Sequence, residues 1–216
     1  PCSPHNSQTW SGRYPLIRFR CSLFSVGVRP QDAGKQPHMG LDGPLTHVQL
    51  LPVGPQHEAQ LREQELKYGG PEWRFGGQVP SPEEYHQRLW QGVVAQYLVV
   101  DADERVLGLV ACYQCDFVSG TAFLSAIRFG DQPNVDVGFI RGCLMFVSRL
   151  FNDFPFRKLY LESAESNSMR FGGGRSVLLE EEARFRERVW LNGRFEDLVV
   201  HSVSRDAWLA SRLSRY

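Results

Sequence analysis

Two cysteines three positions apart, Cys112 and Cys115, form a CxxC. Thiols at that spacing can ligate zinc or cycle between dithiol and disulfide. Zinc needs two further ligands, and neither a second CxxC nor a paired histidine supplies them. The pair falls inside GLVACYQCDF, an alternating stretch that reads as a strand, where positions i and i+3 face opposite sides. The two are therefore expected as buried or half-buried free thiols, with no metal. Cys2, Cys21 and Cys143 bring the count to five, and an odd set of free thiols suits a reducing cytoplasm. A second feature with chemical potential is DQPNVDVG, residues 131–138, followed by a run that repeats every three or four residues: Ile140, Leu144, Val147 and Phe151, with Cys143, Leu150 and Phe154 beside them. That spacing predicts one apolar stripe on a helix, stopped by Pro155. The free N–H groups and positive dipole end of such a helix make its first residues a seat for a phosphate.

The elements that must position this loop follow from the same pattern. Lys158, Leu159, Tyr160, Leu161 and Glu162 alternate as a half-buried strand, and Thr121 to Ile127 reads as another just upstream. Strand, loop, helix, strand favours a right-handed crossover with parallel pairing. Before it, residues 47–53 read as a first strand and residues 55–68 as a helix. Trp73 to Val79 is a loop bearing aromatics and glycine. Ser81-Pro82-Glu83-Glu84 starts a second helix, with serine as N-cap, proline in the first turn and acids near the positive end. Three strands on short turns, from Gln96 to Ile127, make an antiparallel meander. After the crossover come a helical stretch interrupted by Gly172-Gly173-Gly174 and a hairpin turning at Asn192-Gly193.

The 216 residues suffice for one domain with a substantial core, and 42% hydrophobic with 22% charged side chains is a globular composition. Twenty-four basic and 24 acidic residues leave no net charge to attract nucleic acid or an anionic membrane. Nothing approaches the roughly 18 apolar residues of a membrane span. Neither a secretory leader, a nucleic-acid partner nor a membrane partner is expected. Residues 1–44 carry six prolines and little periodicity, so they are expected to be a poorly ordered extension, with the natural start at Met39. Residues 45–216 are expected to form the single folded domain.

The order of strand, two helices, three-strand meander, loop and helix, strand, helix and hairpin resembles the GCN5-related N-acetyltransferase (GNAT) fold. FRKLYLESAESN is similar to that fold's fifth strand and the asparagine after it. EEARFRERVWLNGRFEDLVVHSVSRDAW resembles the C-terminal hairpin of its ribosomal-protein and small-amine N-acetyltransferases. Arg186-Glu187, Gly193-Arg194, Asp197, Arg205 and Trp208 carry that match, and the likeness covers residues 46–208. The fold it implies is an α/β, GNAT-like, mixed and mostly antiparallel sheet of about seven strands, flanked by helices, with strands 4 and 5 splayed apart. The activity it implies is acyl transfer from acyl-CoA, acetyl-CoA above all, to a small-molecule or peptide amine. No metal is called for, and a homodimer is the assembly left open.

On that resemblance, backbone groups of Ala126, Ile127 and Arg128 would hold the thioester and pantetheine. Asp136, Val137, Gly138 and Phe139 would meet the pyrophosphate, and Asn167 would bond the pantetheine arm or cap a helix. Glu162 would deprotonate the incoming ammonium, directly or through water. Trp73, Phe75 and Tyr113 would line the acceptor pocket, with Asp116 near them. His201 reads as structural, and Arg194 with Asp197 as a structural pair at the hairpin. The chain departs from the family at three places. Pro133 and Asp136 stand in the phosphate loop, and Gly174 falls where a tyrosine would protonate the leaving thiolate. The alternative reading is therefore a non-catalytic interaction module that has lost coenzyme A binding. With the carboxylate removed, Asp136→Gly is expected to tighten acetyl-CoA binding about tenfold, and titration at two ionic strengths checks it.

Overall fold

The computed structural model describes residues 47–69, 73–76, 78–130, 137–168, 178–191 and 193–215, with only the backbone of Ser168 and Arg212. The expectations placed on residues 1–44, Pro133, Asp136 and Gly172-Gly173-Gly174 lie outside the described residues.

Seven strands form one sheet in the order β1-β2-β3-β4-β5-β7-β6. They are β1 (Val48–Pro52), β2 (Val93–Asp101), β3 (Val106–Asp116), β4 (Thr121–Arg128), β5 (Lys158–Ala164), β6 (Glu180–Leu191) and β7 (Arg194–Ser204). β4 and β5 are parallel and every other pairing is antiparallel. The helices are α1 (Glu58–Tyr68), α2 (Pro82–Leu89), α3 (Val137–Asp153), the single turn α4 (Glu165–Ser168) and α5 (Arg205–Ala210). The start of α2 follows its sequence signal. Ser81 Oγ accepts from the Glu84 amide at 3.2 Å, and the Glu84 carboxylate accepts from the Ser81 amide at 3.0 Å.

One face of the sheet carries α3. Phe139, Phe146, Leu150 and Phe151 pack on Val99, Val110, Cys112, Leu124, Leu159 and Val203. The opposite face carries α1, α2 and the 73–76 loop, with Leu61, Trp73, Phe75, Tyr85 and Leu89 over Leu98, Leu109 and Ile127. Two glycines let α3 come close. A Cβ at Gly142 would lie 2.3 Å from a methyl of Val99, and one at Gly108 would lie 2.3 Å from the Phe139 ring. Gly108 pairs with Arg128, so the start of α3 is held beside the end of β4.

The far end of α3 is held by the C-terminal segment. The Arg205 guanidinium donates to the carbonyls of Phe151, Phe154 (2.6 Å) and Phe156 (2.7 Å). Trp208 donates its indole N–H to Ser148 at 3.3 Å and is buried against Phe151. Carbonyls at a helix C-terminus lack intrahelical donors, and a cation there also meets the negative dipole end. Arg205 and Trp208, two residues of the hairpin resemblance, thus fasten a helix.

Candidate active site

β4 and β5 pair at only four positions, from Thr121 with Lys158 to Leu124 with Leu161. β4 continues to Arg128 and β5 to Ala164, so the ladder stops halfway and the two strands part. The first turn of α3 lies at the open end of this gap, beside Gly108 and Arg128. Past Leu124, residues 125–128 turn one backbone edge toward the gap. An extended ligand lying there would meet peptide groups from β4 on one side and reach helix N–H groups at its end.

The expected site residues divide between the two faces. Ala126 and Arg128 lie on the α3 face, both buried, with Val137 exposed and Gly138 and Phe139 buried at the start of that helix. Ile127 is fully buried in the core of the other face, so it can offer the gap only its backbone. Glu162, half-buried, shares the α1–α2 face with Tyr160. An aromatic row crosses that face: Tyr113 to Phe123 at 6.0 Å between ring centres, then Phe123 to Tyr160 at 5.3 Å. Glu162 is the next same-face residue beyond Tyr160, which brings Tyr113 and Glu162 to one side of the sheet. Trp73 and Phe75 roof the same face but are buried, at 3% and 6% exposure. Trp73 donates to Glu65 at 2.8 Å, and the Phe75 ring packs tilted against Tyr85 with ring centres 5.4 Å apart. Asp136 lies outside the described residues.

Several sequence readings are corrected. Asn167 lies inside the α4 turn with its side chain buried, and residues 169–177, which a cap there would serve, lie outside the described residues. Asp116 ends in a turn, its carboxylate accepting from the amides of Val118 and Ser119, both at 2.9 Å. Arg194 pairs with Glu196 at 2.9 Å, while Asp197 accepts from the Glu187 amide at 2.9 Å and meets Arg184 at 3.4 Å. A bulge at Glu187, with φ of 46°, makes that amide available. Cys112 and Cys115 do not face opposite sides. Between the pairs Tyr113–Phe123 and Asp116–Thr121, two residues of β3 stand against one of β4. The extra residue shifts the alternation, Gln114 takes φ of 48°, and the two sulfurs come within 3.7 Å. His201 is buried, and burial pulls its imidazole below the usual 6.5 against the pull of Glu181.

Sequence reasoning missed the buried polar groups. Glu65 accepts from Trp73 and, at 3.2 Å, from the Tyr85 hydroxyl, and it pairs with Arg74 at 3.0 Å with both side chains almost wholly enclosed. Burial raises the Glu65 carboxyl, against the opposing charge of Arg74. Gln96, Ala111 and Ser125 form a cross-strand row on this face. Gln96 donates to the carbonyl of Leu89 at 3.1 Å, but its side-chain oxygen and the Ser125 hydroxyl are buried with no hydrogen-bond partner among the described residues. Ser125 is the first residue past the last β4–β5 pair. Polar residues in otherwise apolar strands were the available signal. A separate cavity of about 430 Å³, lined by Leu178, Glu180, Ser202, Ser204 and Ala207 among others, lies beside the start of β5 and away from the gap.

No family model matches the chain, and no curated protein does. Solved structures match over 75–76% of the chain. A chimera of the spermidine N-acetyltransferase SpeG from Vibrio cholerae with hSSAT superimposes with a TM-score of 0.62 at 18% identity, covering 76% of this chain and 99% of that one. Mutant forms of the spermidine/spermine N-acetyltransferase SpeG from Vibrio cholerae give 0.62 at 18%, over 75% and 96%. The dodecameric structure of that organism's spermidine N-acetyltransferase gives 0.60 at 17%, over 76% and 96%. At such identities the likeness shows the fold: a mixed, open seven-stranded sheet of the GNAT type. Among the described residues no group of histidine, cysteine and carboxylate side chains is arranged to hold a metal, and no helix is long and apolar enough to cross a membrane.

Proposed function

We propose that this chain is an acyl-CoA-dependent N-acyltransferase that uses acetyl-CoA to acylate a primary amine. The observation that carries the reading is the parting of β4 and β5 after Leu124 and Leu161, with the start of α3 at its open end. A flat pantetheine chain suits an unpaired strand edge, and a pyrophosphate suits a helix start; both can be held by backbone groups without lysine. The solved structures of similar fold are named for acetylation of spermidine, an amine, which supports the same class of acceptor.

In this reading the donor lies toward the α3 face and the amine arrives from the α1–α2 face. Glu162, on the latter face, takes the proton of the ammonium directly or through one water. The free amine attacks the thioester carbonyl. Backbone N–H groups of residues 126–128 stabilise the oxyanion, and the tetrahedral adduct collapses with loss of the coenzyme A thiolate. That thiol is a good leaving group, so departure without a dedicated side-chain acid is acceptable chemistry. Phe123 and Tyr160, both partly exposed, would present aromatic faces along the acceptor's approach, with Tyr113 buried behind them, and a cationic amine is attracted to such faces. Asn167, Trp73 and Phe75 would shape the walls.

Isothermal titration with acetyl-CoA, followed by thiol release with spermidine as acceptor, tests the proposal. Saturable binding and amine-dependent thiol release support it. Absence of binding up to millimolar acetyl-CoA would hand the chain to the alternative, a non-catalytic module, which the Pro133 and Asp136 of its loop favour. A homodimer or larger homo-oligomer belongs to the same proposal, in line with a dodecameric structure of this fold, and sedimentation velocity measures it. A cytoplasmic location also belongs to the proposal, and fractionation checks it.

A further inference from the structure

A CxxC on a regular strand would separate its two side chains. Here the bulge at Gln114 brings them together on the α3 face, with the sulfurs 3.7 Å apart and no covalent bond between them. Cys112 is fully buried among Val110, Leu124 and Leu150, whereas Cys115 lies at the margin of that core and is partly exposed. The pair therefore has the two parts an exchange reaction needs, an accessible sulfur and a shielded one within reach of it. Closing 3.7 Å to the roughly 2 Å of a covalent bond needs modest side-chain rotation, since the backbone already directs both residues to one side.

We propose that Cys112 and Cys115 are a redox-active dithiol, oxidised reversibly to an intrachain disulfide by a low-molecular-weight disulfide of the glutathione class. Cys115 attacks as thiolate. The Cys112 thiol donates to it, which lowers the Cys115 pKa, while that same bond and burial keep the proton on Cys112. Attack on one sulfur of oxidised glutathione forms a mixed disulfide at Cys115 and expels one glutathione thiolate. Cys112 then attacks the Cys115 sulfur, its proton passing to the second departing glutathione thiolate. Two electrons move from the protein thiols to the small disulfide, giving one protein disulfide and two molecules of reduced glutathione. The product would pin the bulge next to Tyr113. The proposal stands independently of any acyl-transfer activity.

Trypsin releases both cysteines on one peptide, residues 106–128, which makes the outcome readable by mass spectrometry. The folded full chain is incubated with oxidised glutathione, alkylated and digested. The expected wild-type peptide has lost two hydrogens and takes up no alkylating group, and dithiothreitol restores two alkylation sites. Cys112→Ala is expected to stop at a stable glutathione adduct on Cys115. Cys115→Ala is expected to leave Cys112 unmodified until the chain is unfolded. A wild-type peptide that remains doubly alkylated after oxidation overturns the proposal. So does one that accumulates the glutathione adduct without closing the ring.

Discussion

Leu124 and Leu161 are the last paired residues between β4 and β5, and the residue after Leu124 carries a buried hydroxyl with no partner among the described residues. An orphaned hydroxyl costs on the order of 1–3 kcal/mol, because its water hydrogen bonds were lost and nothing replaced them. Ser125→Ala should therefore leave stability unchanged or raise it by about 1 kcal/mol in chemical denaturation. If the hydroxyl serves the bound acyl donor or amine, the same variant should lose thiol-release activity. A gain in stability with a loss of turnover places Ser125 in the site; unchanged turnover makes it a tolerated packing flaw.

Glu162 is the base in the proposed reaction. Glu162→Gln keeps shape and removes the proton acceptor, so kcat should fall about a hundredfold to ten-thousandfold. The KM for acetyl-CoA should hold, because the side chain shares the acceptor face with Tyr160. Steady-state kinetics decides, and wild-type turnover in the variant would end the assignment.

Gly142 tests whether α3 must sit where it does. A methyl there would lie 2.3 Å from Val99, so Gly142→Ala has to displace the helix or the strand. Overpacking of this kind costs about 1–3 kcal/mol. Because the start of α3 borders the gap, acetyl-CoA affinity should weaken with stability. Gly76→Ala offers a contrast: its Cβ would meet nothing within 4 Å, and only its φ of 59° opposes the change.

Arg205 should matter more than its half-buried position suggests. Arg205→Ala strips donors from three carbonyls at and beyond the end of α3, an expected loss of about 2–3 kcal/mol. The melting temperature should drop by roughly 5–10 °C. Arg205→Lys should recover only part of that, since an ammonium cannot reproduce the fork of a guanidinium. A melting temperature unchanged in the alanine variant would show the clamp to be idle.

Glu196 sets an acid limit. Burial alone would raise its carboxyl, but hydrogen bonds from the Ser166 amide and from Arg194 outweigh that and hold it below the ordinary 4.5. A carboxyl depressed in the folded state adds stability above the unfolded value, and this is lost as pH falls through 4.5 and below. Glu196→Gln should be less stable than wild type at neutral pH, with the gap narrowing on acidification. Denaturation at a series of pH values checks the sign.

The sequence pattern was a good guide wherever local chemistry decides the outcome. Ser81 and Glu84 form the capping box their spacing announces, and the crossover from Thr121 to Lys158 is parallel as the order of strand, helix and strand requires. It failed where one extra residue changes a parity. Nothing in GLVACYQCDF marks Gln114 as the residue that takes positive φ, so Cys112 and Cys115 were placed on opposite faces. It also failed where partners are distant in sequence: Glu65 meets residues 8, 9 and 20 positions away, and no local period encodes that meeting. Arg205 and Trp208 were legible as motif residues, while the helix end they hold, more than 50 positions earlier, was not.

The strand order has a consequence for how the chain reaches this state. β7 lies between β5 and β6, so one edge of β5 waits for residues made 34 to 46 positions later. The β2–β4 meander can assemble from near neighbours, but the far wall of the gap is complete only when β7 slides in and Arg205 locks α3 behind it. Non-local closure of that kind is slow, and the waiting edge of β5 is exposed to pairing with other chains. Ribosome-bound chains arrested before β7 has emerged should therefore be sticky, and those arrested after Trp208 has emerged should not.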